Sequence, residues 1–220
     1  GLGDVYKRQI PTDTISISID KDAVLRSGIM LPDSIRHLKG KELKNAIPDK
    51  IYISLKDMRI LTKVDMLMLE MLANCNWERP LYMAISVGEV SKLKFDHYFV
   101  QEGLAFRFTP FDYKKWGNVK GDNNYAIDVE RLYENVMNRY KYGGLDTPGL
   151  YLDETTLRTC YYHRRLFAQL AKELIRQGDN TRARKVLAYA EQAVPAYNVP
   201  EIYESGSFDI AKAYAALGEK

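Results

Sequence analysis

Cysteine is nearly absent from this chain. Cys75 and Cys160 are the two cysteines in 220 residues, and neither has a second cysteine near it. That excludes CxxC redox chemistry and a zinc knuckle. Both read as free thiols, with a single disulfide between them left open. Histidine is also scarce: His37, His97 and His163 show no HxH or HxxxH spacing, so no metal site is expected. No apolar run reaches the ~18 residues of a membrane span, because the longest, Met66 to Ala73, is interrupted by Glu70. Charge of one sign is missing too. The 32 basic and 29 acidic residues are interleaved, which describes a solvated surface and excludes a nucleic-acid partner. The chain has no phosphate-cradling GxxxxGK, no GxGxxG and no Ser or Cys in a nucleophile elbow, so no cofactor is expected. What remains, at 46% hydrophobic and 28% charged, is an ordinary globular composition long enough for one large or two small domains.

The first nine residues, GLGDVYKRQ, resemble a translated sequencing adapter and are set aside from fold reasoning. The last segment, Phe208 to Lys220, reads as the first helix of a helix pair. The natural protein is therefore expected to be longer at both ends.

Hydrophobic periodicity divides the chain. TISISI places Ile15, Ile17 and Ile19 on one face, and IYISL does the same with Ile51, Ile53 and Leu55, which is the period of half-buried strands. Thr62 with Asp65 forms a capping box ahead of a helix apolar around most of its circumference, from Val64 to Leu72. That pattern predicts a core helix. Arg79-Pro80 forces an extended start to the strand LYMAIS, and GLAFRFTPF alternates Leu104, Phe106 and Phe108 before Pro110 ends the run. After 123 the period becomes 3.6. Val129, Leu132, Tyr133, Val136, Met137 and Tyr140 form one helical stripe, and two more helices follow between Thr155 and Ala193, divided at Gln177 to Asn180. The fold class is therefore α+β, a small mixed sheet with a buried helix, followed by a tetratricopeptide-like helical region. The domains are 10–122 and 123–220.

The helical part matches a tetratricopeptide repeat over 164–197, with Phe167, Leu170, Ala171, Leu174, Gly178, Ala183, Leu187, Ala190 and Pro195 at the expected places. Ile210, Ala211, Tyr214 and Gly218 begin a truncated second repeat. Such arrays bind peptides on a concave face.

Candidate chemistry is thin. Asp65 and Glu70 project about 140° apart on their helix, so they form no dyad, and Asp65 reads as a capping acid. Asp96, His97 and Glu102 are close in sequence and could move a proton. Trp77, Arg79 and Tyr82 cluster at a strand start, where they either line a cleft or plug the core.

The run KVDMLMLEMLANCNWERPLYMAISVG, followed by FDHYFVQEGLAFRFTPF, resembles the extramembrane C-terminal part of a bacterial family of large multi-span membrane proteins related to protein O-mannosyltransferases. Asn76, Trp77, Arg79, Pro80, Tyr82 and Ala84 match its first motif; Tyr98, Phe99, Glu102, Gly103, Leu104, Ala105 and Arg107 match its second. Cys75, Leu81, Met83 and Phe106 depart from the pattern. NVMNRYKYGGLD and LYLDE extend the resemblance over nearly all of the chain after the adapter. It implies an extracytoplasmic, periplasmic-side accessory module of a membrane-embedded type C glycosyltransferase, itself noncatalytic. Its partners would be its own membrane domain upstream and an acceptor protein or peptide. The alternative is a stand-alone peptide-binding scaffold. The motif residues Asn76, Trp77, Arg79, Pro80, Tyr82, Glu102, Gly103 and Arg107 are candidates for binding or for structure. If LYMAIS and LAFRFT are sheet neighbours, Arg107 and Glu102 are expected as a buried pair; the functional alternative is an open cleft at Trp77, Tyr82 and Arg107.

Overall fold

The computed structural model describes residues 13–56, 58, 60–87, 93, 95–119 and 125–218; the adapter-like segment and the boundary expected between 122 and 123 lie outside them. The described residues form an α+β chain with a helical C-terminal region, divided into two compact units. One holds the residues up to Val100 together with Arg107–Ala126, and the second holds Gln101–Phe106 with the residues from Ile127 onward.

In the first unit, β1 (Thr14–Ser18) pairs antiparallel with β2 (Lys50–Ser54), Ile17 opposite Ile51 and Ile15 opposite Ile53. Ile17, Ile51 and Ile53 are buried, as the alternation predicts. Between these strands run α1 (Lys21–Arg26), capped by Asp20, and α2 (Gly40–Ala46). α3 (Lys63–Asn74) starts on the expected capping box, with the Asp65 amide donating to Thr62 Oγ1 at 3.2 Å and the Thr62 amide to Asp65 Oδ2 at 2.8 Å.

The burial expected all round α3 is found on one face only. Asp65, Leu69 and Leu72 are buried, whereas Val64, Met66, Leu67 and Met71 are exposed. The reason is what the helix packs on: α3 meets β1, and a two-stranded sheet covers one side of a helix.

Two sheets take the place of one. β3 (Tyr82–Ala84), β4 (Phe99–Gln101), β5 (Ala105–Phe108) and β6 (Ala126–Ile127) form a second sheet in the order β3-β5-β4-β6. Phe108 centres an aromatic core, its ring 5.8 Å from Trp77, 5.4 Å from Phe99, 6.0 Å from Tyr98 and 6.1 Å from Phe95.

In the second unit, α4 (Val129–Glu134) is capped by Asp128, whose Oδ1 accepts from the Arg131 amide at 3.1 Å. The continuous α-helix expected as far as Tyr140 instead widens into one π turn, Asn135–Arg139, closed by the Tyr140 amide donating to Asn135 O at 2.8 Å. α5 (Glu154–Arg176) and α6 (Asn180–Ala193) are joined by a tight turn with Gly178 at φ +83 and Asp179 as the second helix's cap. Ala171, Ala183 and Ala190 are buried with Leu170, Leu174 and Leu187; small residues let the two helices approach closely. α7 (Ser207–Ala216) packs against α5.

On α5 the ring of His163 lies 5.9 Å from Tyr140 and 5.2 Å from Tyr142, and its covered Nδ1 has no hydrogen-bond partner among the described residues. Burial holds its imidazole below the ordinary 6.5, so the folded chain keeps it neutral where the unfolded chain takes up a proton. Its contribution is fully present above about 6.5 and is lost as the pH falls through that value toward the lower folded one. Urea midpoints at about pH 7.5 and pH 5.5, on either side of that value, are expected to drop less on acidification for His163→Phe than for the wild type. Equal drops would contradict the assignment.

Candidate functional site

The first motif begins where α3 ends. Asn76 and Trp77 both take left-handed backbone, at φ +48 and +61. Asparagine tolerates this conformation, while tryptophan adopts it only where its surroundings hold it. Here they do: the indole is buried, its Nε1–H donates to Ser18 O at 2.9 Å, and its ring stacks on Phe108. The two left-handed residues turn the chain under the helix and send Glu78, Arg79 and Pro80, all exposed, toward β3. The Phe108 amide donates to Leu81 O at 2.9 Å, so the LYMAIS and LAFRFT strands are neighbours as expected.

Arg107, on β5, is 4% exposed, and its Nη2 donates to Ser27 O at 2.8 Å, tying the end of α1 to the sheet. Trp77, Arg79, Pro80, Arg107 and Phe108 surround a shared hollow of ≈ 10 Å³, which is room for about one water. Tyr82 points away to solvent at 49% exposure.

Glu102 and Gly103 belong to the second unit and sit in the hairpin between β4 and β5, closed by the Glu102 amide donating to Ala105 O at 3.1 Å. The Glu102 carboxylate is buried and forms an ion pair with Arg131 at 3.4 Å; its carbonyl accepts from Asn135 Nδ2 at 2.7 Å. The next amide, of Leu104, donates to the Tyr140 hydroxyl at 2.9 Å. Arg131 and Asn135 share a helix face at i, i+4 spacing. Tyr140, five residues beyond Asn135, would point about 140° away on an α-helix. The π turn bonds i to i+5 and brings it round to the same hairpin.

The remaining candidates for chemistry are separated. Asp65 is the capping acid, 1% exposed. His97 Nε2 lies 3.5 Å from Asp112 Oδ2, a partner the sequence did not single out, and Lys115 approaches the same carboxylate at 3.3 Å. Both cysteines are free. Among the described residues no cluster of His, Cys, Asp and Glu could hold a metal ion, and no helix is long and apolar enough to cross a membrane.

Arg131, Asn135, Tyr140 and Ser27 were missed in the sequence. A signal existed for Arg131 alone, since a buried Glu102 needs a cation; Asn135 and Tyr140 bond backbone groups of the hairpin. Ser27 acts through its carbonyl, which leaves no trace in residue type.

The geometry thus defines an α+β chain continued by helices, in which Trp77 and Arg107 turn their polar groups inward onto backbone carbonyls and Glu102 pairs with Arg131. Residues 4–130, more than half of the chain and including both motifs, match the family described as TMEM260-associated domain 2. The chain belongs to this TMEM260-associated family. No curated protein and no solved structure matches it.

Proposed function

We propose that this chain is a noncatalytic accessory module, on the extracytoplasmic side, of a membrane-embedded protein resembling protein O-mannosyltransferases. The reaction groups then lie in the membrane part of that protein, and this module covers it or guides its acceptor. The observation that carries the reading is the ≈ 10 Å³ hollow at Trp77, Arg79 and Arg107. A sugar ring or a peptide segment does not enter a space that holds about one water. The family match supports the association with a TMEM260-like protein.

The test uses the full-length protein. With Asp96→Asn and Glu102→Gln combined, sugar transfer to acceptor is expected to persist in molecules that remain folded. Loss of transfer with folding intact would return catalysis to this module. The reading frame upstream is expected to encode about 8 or more segments of ~20 apolar residues.

One observation favours the peptide-binding scaffold. A cleft of ≈ 580 Å³ in the second unit is lined by Tyr140, Tyr142, Tyr189, Lys141 and Gln192, beside the α5–α6 pair that carries the tetratricopeptide-like pattern. Under that reading the isolated chain binds extended peptides and Tyr189→Ala abolishes the binding. Under the accessory reading, transfer to acceptor depends on the membrane part whether or not this cleft is altered.

A further inference from the structure

α3 shows solvent a stripe that a core helix keeps inside. Val64, Leu67 and Met71 fall within about 60° of one another at 100° per residue. They are 43%, 61% and 49% exposed. The helix itself is well made, with its N-terminal capping box in place and Asp65, Leu69 and Leu72 seated in the domain. The stripe is therefore a surface of a folded element and not a frayed end. A contiguous apolar patch on a stable helix marks an interaction site.

The pattern of the stripe names its occupant. Counting from Leu67, an apolar residue stands three before (Val64) and four after (Met71), while opposite charges stand four before (Lys63) and three after (Glu70). Lys63 and Glu70 project about 20° apart and flank the same side of the stripe. We propose that α3 pairs with α3 of a second copy of this chain, antiparallel, about a two-fold axis near Leu67. In that arrangement Leu67 meets its own counterpart, Val64 meets Met71 and Lys63 meets Glu70, each contact made twice, as a self-complementary interface requires. A parallel pair, whose two-fold runs along the helices, sends this flank to opposite edges of the seam on the two copies and forms no Lys63–Glu70 pair. A lipid surface fits less well. Glu70, exposed and accepting from Asn74 Nδ2 at 2.8 Å through Oε1, would be carried to the edge of the acyl region, where cationic flanks are the rule.

One helix stripe buries less than the roughly 1,200 Å² of stable complexes, so this dimer is weak and concentration-dependent. The test is sedimentation velocity on the 220-residue chain from about 10 μM to about 1 mM, the range in which so small an interface associates. The mass of the wild type is expected to rise toward the dimer. Leu67→Glu is expected to stay monomeric throughout. Lys63→Glu alone weakens association about tenfold, and Lys63→Glu combined with Glu70→Lys restores it, because the pairing is re-formed with its signs exchanged. All three positions are exposed, and unchanged circular dichroism and melting would show that the variants fold. A wild type monomeric at every concentration would overturn the proposal, as would a double variant no better than Lys63→Glu. Flotation of a monomeric wild type with phosphatidylcholine vesicles, lost in Leu67→Glu, would also overturn it and assign the stripe to lipid.

Discussion

Arg164→Met is expected to lower the unfolding free energy by about 3–5 kcal/mol, the range for breaking a buried, multiply bonded charge. Arg164 stands on α5, 3% exposed. Its Nη2 donates to Val194 O at 3.1 Å and Val199 O at 2.6 Å, and its Nη1 to Pro200 O at 3.1 Å and Ser207 Oγ at 3.3 Å. One planar fork thus fastens the connection after α6 and the first residue of α7 to the middle of α5. Burial lowers its pKa, yet four oxygens around a guanidinium keep the charge in place. Methionine fills comparable space and leaves three carbonyls without this donor. Lysine keeps the charge, but a single ammonium cannot reach acceptors spread around a fork, so Arg164→Lys should recover little. Melting followed by circular dichroism should fall by about 6–20 °C, taking 2–4 °C per kcal/mol for a chain of this size. A shift within about 2 °C would remove the clasp from the account.

Gly103→Ala is the second large effect, expected at about 2–4 kcal/mol for a substitution combining backbone strain with a collision. Gly103 has φ +153, and a Cβ built there lies 2.0 Å from the Tyr140 hydroxyl oxygen and 3.1 Å from its Cζ. That hydroxyl cannot simply withdraw, since it accepts the Leu104 amide. Tyr140→Phe removes the colliding atom and also the acceptor, so it costs something alone while relieving Gly103→Ala. The double variant should be more stable than the sum of the singles implies, by roughly 1 kcal/mol or more in a urea double-mutant cycle. Additive losses would mean the hairpin does not press on Tyr140.

The elements legible in the sequence are those whose cause is local. The isoleucine alternation of β1 and β2 and the Thr62–Asp65 box each depend on residues within a few positions, and each stands where its pattern puts it. What was not legible depends on distant partners. The apolar circumference of α3 predicts burial, but only the fold shows that the surface it packs on is a narrow two-stranded sheet. The π turn after α4 exists where Asn135 and Tyr140 both meet the 102–104 hairpin, a demand absent from the helical stripe itself. Arg164 was the first position of the repeat count, yet its acceptors are mostly backbone carbonyls, which every residue carries. Glu102 announced the need for a cation without saying which of 32 basic residues supplies it.

The same distinction bears on Trp77 and Arg107, whose polar groups bond backbone within the first unit and leave no open cleft between them. Thermal melting of Arg107→Met tests this most directly, because Arg107 is covered, bonded to Ser27 O and set against a hollow of ≈ 10 Å³. A loss of about 2–4 kcal/mol, or about 4–16 °C in melting temperature, is expected. A melting temperature equal to that of the wild type would contradict it and make Arg107 a replaceable, ligand-facing residue.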